Sequence, residues 1–177
     1  MAYIETGLDH KGIRALIQYK SSTGAALMNL AEALLHGPSP IPKKEREIIA
    51  AYTSKLNHCE FCYESHRAAA IAHYEDEIEV ACILENINSS TVSRKLSTLL
   101  SLVELVQKSG QLLTVEEINR IKERGITDEE IHDTVLITAA FCMFNRYVDG
   151  LGARKLEDKK DYIPMGKHMA ENGYGKK

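Results

Sequence analysis

The chain has 177 residues, of which 44% are hydrophobic and 27% charged, and its formal net charge is -3. This length suits one domain with a core that buries roughly 70% of the surface of the unfolded chain, so we predict a single domain over residues 1–177. Evenly spread charge without a basic stripe argues against a nucleic-acid partner. Residues 1–20 lack the apolar core of a signal peptide, and no stretch approaches the ~20 apolar residues of a membrane span, so we expect a soluble cytoplasmic protein.

Apolar residues recur at intervals of three and four, and no alternating run with hairpin turns occurs. The pattern therefore predicts an all-α helical bundle. In chain order, helices are expected over about 9–20, 23–35, 43–56, 59–74, 76–85, 90–108, from Thr114 onward, from Thr127 to about 149, and over 165–171. Thr114 and Thr127 each begin a Thr-x-Glu-Glu sequence, which has the capping-box pattern of a helix N-terminus.

The helix expected after Thr127 is unusual because its apolar residues point in every direction. Its apolar residues together cover all sides of the helix: Val135, Leu136, Ile137, Ala139, Ala140, Phe141, Met143 and Phe144. A helix that is apolar all round is buried centrally or lies in a subunit interface. This helix therefore predicts a homo-oligomer.

The segment Cys59-Glu60-Phe61-Cys62-Tyr63-Glu64-Ser65-His66 has the strongest functional pattern. On a helix, positions 59, 62 and 66 fall within roughly 60° of one another, so their side chains share one face. Two thiols three residues apart can close a disulfide, and a thiol reacts as its thiolate. His66 is four residues after Cys62 and can accept its proton, whereas Cys59 is seven residues away. We therefore predict that Cys62 attacks and Cys59 resolves.

The remaining cysteines and histidines leave a metal alternative open. Cys82 and Cys142 lie in apolar stretches and are expected to be buried as small hydrophobic residues. Cys-x-x-Cys is also half of a common zinc site, although the second half is missing. Such a site would have to recruit His66 together with His58, His73 or Glu47. His73 otherwise has the pattern of a packing or surface residue.

A histidine that moves protons works best when a third group orients it, and Glu47 is the candidate. It lies beside the apolar stripe of Ile48, Ala51 and Tyr52 on the preceding helix. Alternatively, Glu47 only favours the beginning of that helix, where a negative charge is worth up to ~1 kcal/mol. Residue chemistry alone leaves both interpretations open.

Two segments carry a resemblance to a known family. The first runs from Pro42-Lys43-Lys44-Glu45-Arg46-Glu47 through Asn57-His58-Cys59-Glu60-Phe61-Cys62 to His66, and the second is Phe144-Asn145-Arg146-Tyr147-Val148-Asp149-Gly150. Together they resemble the AhpD-like alkylhydroperoxidases of the carboxymuconolactone decarboxylase superfamily, especially the peroxidase-related branch. The match spans most of residues 38–154.

The resemblance implies an all-α fold that assembles as a dimer, trimer or hexamer. It also implies reduction of organic hydroperoxides without metal, haem or another cofactor, with an external dithiol as reductant, either lipoyl-type or thioredoxin-like. The resemblance implies that Cys62 attacks the peroxide and Cys59 resolves the oxidised Cys62. It also implies that His66 and Glu47 form the proton relay. Well-known members have a second histidine between the cysteines, where this chain has Phe61.

Three further hypotheses accompany this assignment. A decarboxylase-type lyase on the same fold would not require two thiols. A non-catalytic redox or zinc-binding protein would show no turnover of peroxide. For the second segment we expect a structural role, in which Asn145 and Asp149 bond backbone and Gly150 supplies a left-handed helix end.

Overall fold

The computed structural model describes residues 2–175 and shows an all-α architecture, as predicted; Met1, Lys176 and Lys177 lie outside the described residues. In this part of the chain there are nine α-helices and no strand. They are α1 (Ile13–Tyr19), α2 (Ser21–Leu35), α3 (Lys43–Leu56), α4 (Glu60–Tyr74), α5 (Glu77–Glu85), α6 (Arg94–Lys108), α7 (Val115–Glu123), α8 (Asp128–Gly150) and α9 (Tyr162–Asn172). The first predicted helix is shorter than expected because Gly12 takes a positive φ of 59° and α1 begins only after it.

Helix α3 lies at the centre of the bundle and packs against α4, α6 and α8. Its residues are buried without interruption from Arg46 to Ser54, because neighbouring helices surround it on every side. Pro42 is suited to the position before the helix, with φ -55° and ψ 145°. A carboxylate at position 47 is therefore held inside the protein rather than at a solvated helix end.

The turn between α3 and α4 is tied to α8 by side chains. Asn57 donates from Nδ2 to Oδ1 of Asn145 at 2.8 Å, and Asn145 donates from Nδ2 to Oγ of Ser54 at 3.1 Å. The expectation that Asn145 bonds backbone is therefore wrong. Gly150 is the last residue of α8, and the left-handed glycine is Gly152, with φ 59°. The second family segment thus fixes the turn that carries the cysteines.

Helix α9 packs against α4 at very short range. A Cβ at Gly166 would collide with the backbone and side chain of Ala68, so only glycine allows this approach. The chain that follows α9 is anchored by α2, where Glu32 Oε2 accepts the backbone N–H groups of Tyr174 at 2.6 Å and Gly175 at 3.0 Å. This anchor returns residue 174 to the centre of the bundle.

The two predicted capping boxes differ in the structure. At Thr127 both halves are present, since its hydroxyl accepts from Glu130 N and the Glu130 side chain accepts from Thr127 N. At Thr114 the hydroxyl accepts from Glu117 N at 3.3 Å, but the reciprocal bond is absent among the described residues. Both threonines nevertheless begin helices, as their sequence pattern predicts.

Helix α8 is 23 residues long and lies partly at the surface. Leu136 and Met143 are 39% and 43% exposed, while Ile137 and Phe141 are buried. None of the helices in residues 2–175 is long and apolar enough to cross a membrane.

We expect a second copy of the chain to cover this exposed side of α8. Sedimentation at micromolar concentration should then show a homo-oligomer, because large apolar side chains on one helix favour contact with another subunit. Leu136→Lys should shift the population toward the monomer, and Asn119→Lys, at an exposed position on α7, is the control. A wild-type chain that sediments strictly as a monomer would contradict the prediction.

Candidate active site

The two cysteines of the pair occupy different environments. Cys59 is the residue just before α4, with φ -86° and ψ 91°, and Cys62 lies in the first turn of the helix. Both are free thiols; Cys59 has no exposed surface and Cys62 is 5% exposed. A hydrogen bond with Cys62, burial and the charge of Cys62 raise the pKa of the Cys59 thiol. Cys59 therefore stays protonated at neutral pH.

Beside the cysteines, an apolar cavity of about 320 Å³ reaches Cys62. Cys59 does not line it, and its sulfur lies behind Cys62 in a small core with Phe61, Val148 and Tyr162. The cavity wall is mostly apolar, with Ile13, Ile17, Met28, Ala31, Phe61, Phe141, Phe144, Met165 and Met169. A small apolar molecule that enters the cavity meets Cys62 first.

The structure brings Glu47 and His66 together in the interior. Nδ1 of His66 lies 2.8 Å from Oε2 of Glu47, which is fully buried. Since a carboxylate only accepts, Nδ1 carries the proton and Nε2 keeps its lone pair. The His66 ring packs edge-on against Phe141 at 4.6 Å between centroids and lines the same cavity as Cys62. No direct hydrogen bond joins His66 to Cys62 in residues 2–175.

Tyr174 is a member of this network that the sequence did not reveal. Its hydroxyl donates to Oε1 of Glu47 at 2.7 Å and lies 3.3 Å from Nδ1 of His66. Its ring stacks on His66, with 5.8 Å between centroids and an interplanar angle of 18°. Burial, together with the charge of Glu47 and the hydrogen bond to it, raises the pKa of Tyr174 well above its usual value. Tyr174 therefore remains a hydrogen-bond donor to Glu47.

The other two cysteines are not buried, so that prediction is wrong. Cys82 is exposed and Cys142 is partly exposed. On α5 the buried residues are Val80, Ile83 and Leu84, and residue 82 points away from them. Apolar neighbours in the sequence therefore did not place the side chain of Cys82 in the core.

A zinc site built on the cysteine pair is not formed in the described chain. Cys59 and Cys62 belong to no group of three or more metal-ligating side chains in residues 2–175. His58, which has a left-handed backbone with φ 58°, is exposed at the turn. One such group lies elsewhere: ligand atoms of His36, Glu47 and His73 are all within 4.8 Å of one another.

Comparison with known proteins gives a family match for part of the chain. Residues 22–101, which are 80 of the 177 residues, match the model of the carboxymuconolactone decarboxylase family. The segment that carries the cysteine pair is therefore similar to that family. The match contains Glu47, both cysteines and His66, whereas Tyr174 lies outside it. No curated protein matches the chain.

Several solved structures share the fold of this chain. An uncharacterized peroxidase-related protein with an alkylhydroperoxidase AhpD core from Ralstonia eutropha JMP134 has a TM-score of 0.77 and 22% identity, over 88% of this chain and 80% of that one. An uncharacterized peroxidase-related protein from Silicibacter sp. TM1040 has a TM-score of 0.77 and 20% identity, over 85% and 78%. The debrominase Bmp8 has a TM-score of 0.72 and 14% identity, over 86% and 81%. At these identities the likeness establishes the fold.

Proposed function

We propose that this protein reduces organic hydroperoxides with its cysteine pair and is regenerated by an external dithiol, lipoyl-type or thioredoxin-like. The observation that carries the proposal is the shared cavity of Cys62 and His66, with His66 held by the buried carboxylate of Glu47. The family match over residues 22–101 and the names of the peroxidase-related neighbours support the same chemistry.

The reaction begins with the Cys62 thiol. Its proton passes to Nε2 of His66 through one water, because the two side chains share the cavity without a direct hydrogen bond. The Cys62 thiolate attacks the terminal peroxide oxygen, the O–O bond breaks, and the alkoxide leaves. Protonated His66 returns the proton to that alkoxide, so the products are an alcohol and the Cys62 sulfenic acid.

Cys59 then completes the oxidation. Its sulfur attacks the Cys62 sulfenic sulfur, the S–O bond breaks, and the oxygen leaves as water with the proton of the Cys59 thiol. One hydroperoxide and two thiols thus give one alcohol, one water and one disulfide. An external dithiol reduces the disulfide by thiol–disulfide exchange.

A turnover assay tests this proposal. Hydrogen peroxide and a panel of organic hydroperoxides are supplied with a lipoyl-type dithiol and with thioredoxin in parallel. We expect turnover of bulky apolar hydroperoxides to exceed that of hydrogen peroxide, because the cavity wall is apolar. A chain that turns over none of them with either reductant would contradict the proposal.

Tyr174→Phe should slow the alkylation of Cys62 by about tenfold. Tyr174 acts as a positioning residue, because its hydroxyl donates to Oε1 of Glu47. Loss of this hydrogen bond leaves Oε1 without its partner, so the carboxylate holds His66 less firmly in the position that accepts the Cys62 proton. The ring stacking on His66 is kept in this variant.

Alkylation of Cys62 with iodoacetamide, followed across pH in a Cys59→Ser background, measures the Tyr174 effect without any peroxide. Tyr63→Phe is the matched control, because Tyr63 is half-buried on α4 and makes no hydrogen bond through its hydroxyl among the described residues. An unchanged alkylation rate in Tyr174→Phe would mean that its hydroxyl does not act on the relay.

The main alternative is a lyase reaction of the decarboxylase type on the same fold, since the matched family model carries that name. The neighbouring debrominase also shows that one fold serves different reactions. Such a lyase would not need both thiols, so it would keep its activity in a Cys59→Ser, Cys62→Ser double variant. The peroxidase would lose all of it.

A further inference from the structure

Two imidazole nitrogens outside the cysteine site are buried without any partner. Nε2 of His36, at the end of α2, and Nε2 of His73, in the last turn of α4, make no hydrogen bond in the described structure. Nearly all buried polar atoms in folded proteins are paired, so an unpaired one indicates a missing water or ion. Here two such atoms belong to neighbouring rings.

The two rings have the arrangement of ligands around one ion. Their centroids are 6.1 Å apart and the rings are tilted by 49°. A carboxylate oxygen of Glu47 completes a set of three ligand atoms within 4.8 Å of one another. Ligand atoms that each lie about 2.0–2.1 Å from one zinc ion are closer to one another than 4.8 Å. Small side-chain rotations would bring the three atoms to that spacing.

We propose that His36, Glu47 and His73 form a binding site for a divalent transition-metal ion of the zinc class, with a fourth position open to water. Two imidazoles and one carboxylate suit zinc, cobalt or nickel, whereas magnesium and calcium prefer oxygen ligands. Glu47 is fully buried and is held by His66 and Tyr174, so the carboxylate is already oriented before an ion binds.

Lys43 controls access to this site. Its Nζ lies 3.3 Å from Nδ1 of His36 and must donate there, which places the imidazole proton on Nε2. An ion at Nε2 requires the proton on Nδ1, so Lys43 has to move away, and its exposed position allows this. The nearby charges otherwise balance, with Glu32 and Glu47 opposite Lys43 and Arg46.

The site has a consequence for catalysis that rests on the proposed function. Glu47 would serve both the ion and His66, and a carboxylate bound to a dication is a weaker acceptor for the His66 proton. The occupied chain should therefore form the Cys62 thiolate more slowly. Metal binding itself does not depend on any activity of the cysteines.

Cobalt titration of the full chain with Cys59 and Cys62 replaced by serine tests the site directly. We expect one Co²⁺ per chain with visible d–d absorption. Affinity should fall about tenfold or more in His36→Ala and in His73→Ala. His132→Ala, at an exposed histidine on α8, should leave it unchanged. Lys43→Met should bind more tightly than the parent.

Two results would overturn the proposal. If the Cys59→Ser, Cys62→Ser chain binds no Co²⁺, or binds it equally well without His73, the unpaired nitrogens are satisfied by water alone. The coupling to Glu47 has its own test, in which Zn²⁺ slows alkylation of Cys62 in Cys59→Ser but loses this effect when His73→Ala is added. Equal slowing in both chains would place the inhibitory ion on the cysteine and overturn the coupling.

Discussion

After a brief pulse of hydroperoxide, Cys59→Ser should carry a sulfenic acid on Cys62, whereas Cys62→Ser should show almost no fast oxidation. The cavity reaches Cys62 but not Cys59, and His66 lines the same cavity. The raised pKa of Cys59 keeps that thiol protonated, and a protonated thiol is a poor nucleophile. Fast oxidation therefore belongs to Cys62.

A physical argument also favours the opposite order, in which Cys59 is the attacking thiol. Cys59 is nearer to the beginning of α4, where the helix dipole stabilises a thiolate, and in thioredoxin-like motifs the first cysteine attacks. The dipole contributes at most ~1 to 2 kcal/mol, however, whereas a nearby base removes the proton itself. Trapping with dimedone and mass spectrometry of both variants decides between them. Fast sulfenic acid on Cys59 would reverse the order and leave His66 to assist the resolving step.

Glu47→Gln should slow peroxide reduction by about 10- to 100-fold or more with little loss of stability. Glutamine has the same shape and can still bond both His66 and Tyr174, so the buried network stays filled. Its neutral amide, however, does not stabilise the positive charge that His66 acquires with the Cys62 proton. Proton transfer from Cys62 to His66 is therefore less favourable in this variant.

Glu45→Gln is the matched control for Glu47→Gln, because Glu45 lies on the same helix and makes no contact with His66. Turnover and melting temperature should be measured for both variants. The relay role of Glu47 would be wrong if Glu47→Gln kept its activity and only its melting temperature fell. A carboxylate that merely began the helix would behave in that way.

Local sequence patterns predicted the parts of the site that depend on neighbouring residues. The spacing of Cys62 and His66 predicted that they share one face of α4, whereas the expectation that Cys59 lies on the same face is wrong, because Cys59 precedes the helix and does not line the cavity. The bounds of α3 and α4 followed from Pro42, the apolar period and the short turn between them. Glu47 lies near His66 because consecutive helices joined by a short turn pack against each other.

Contacts between distant segments were not predictable in this way. Tyr174 reaches Glu47 only because Glu32 on α2 binds the backbone after α9, more than 140 positions along the chain. His36 and His73 meet because α2 and α4 both end near α3. The sequence marked His73 only as a possible partner of the cysteine pair, and it did not mark His36 at all. For Cys82 the apolar neighbours in the sequence were misleading. Its position around α5 turns the side chain away from the buried residues of that helix, so it is exposed.

The most direct test of the account is a stoichiometric reaction of the reduced protein with cumene hydroperoxide, in the absence of any external reductant. We predict that one equivalent is converted to its alcohol and that each chain loses two hydrogens as the Cys59–Cys62 disulfide forms. Peptide mapping should find no disulfide at Cys82 or Cys142. A reduced chain that leaves the hydroperoxide intact, or that consumes it equally well with both Cys59 and Cys62 replaced by serine, would contradict the central claim.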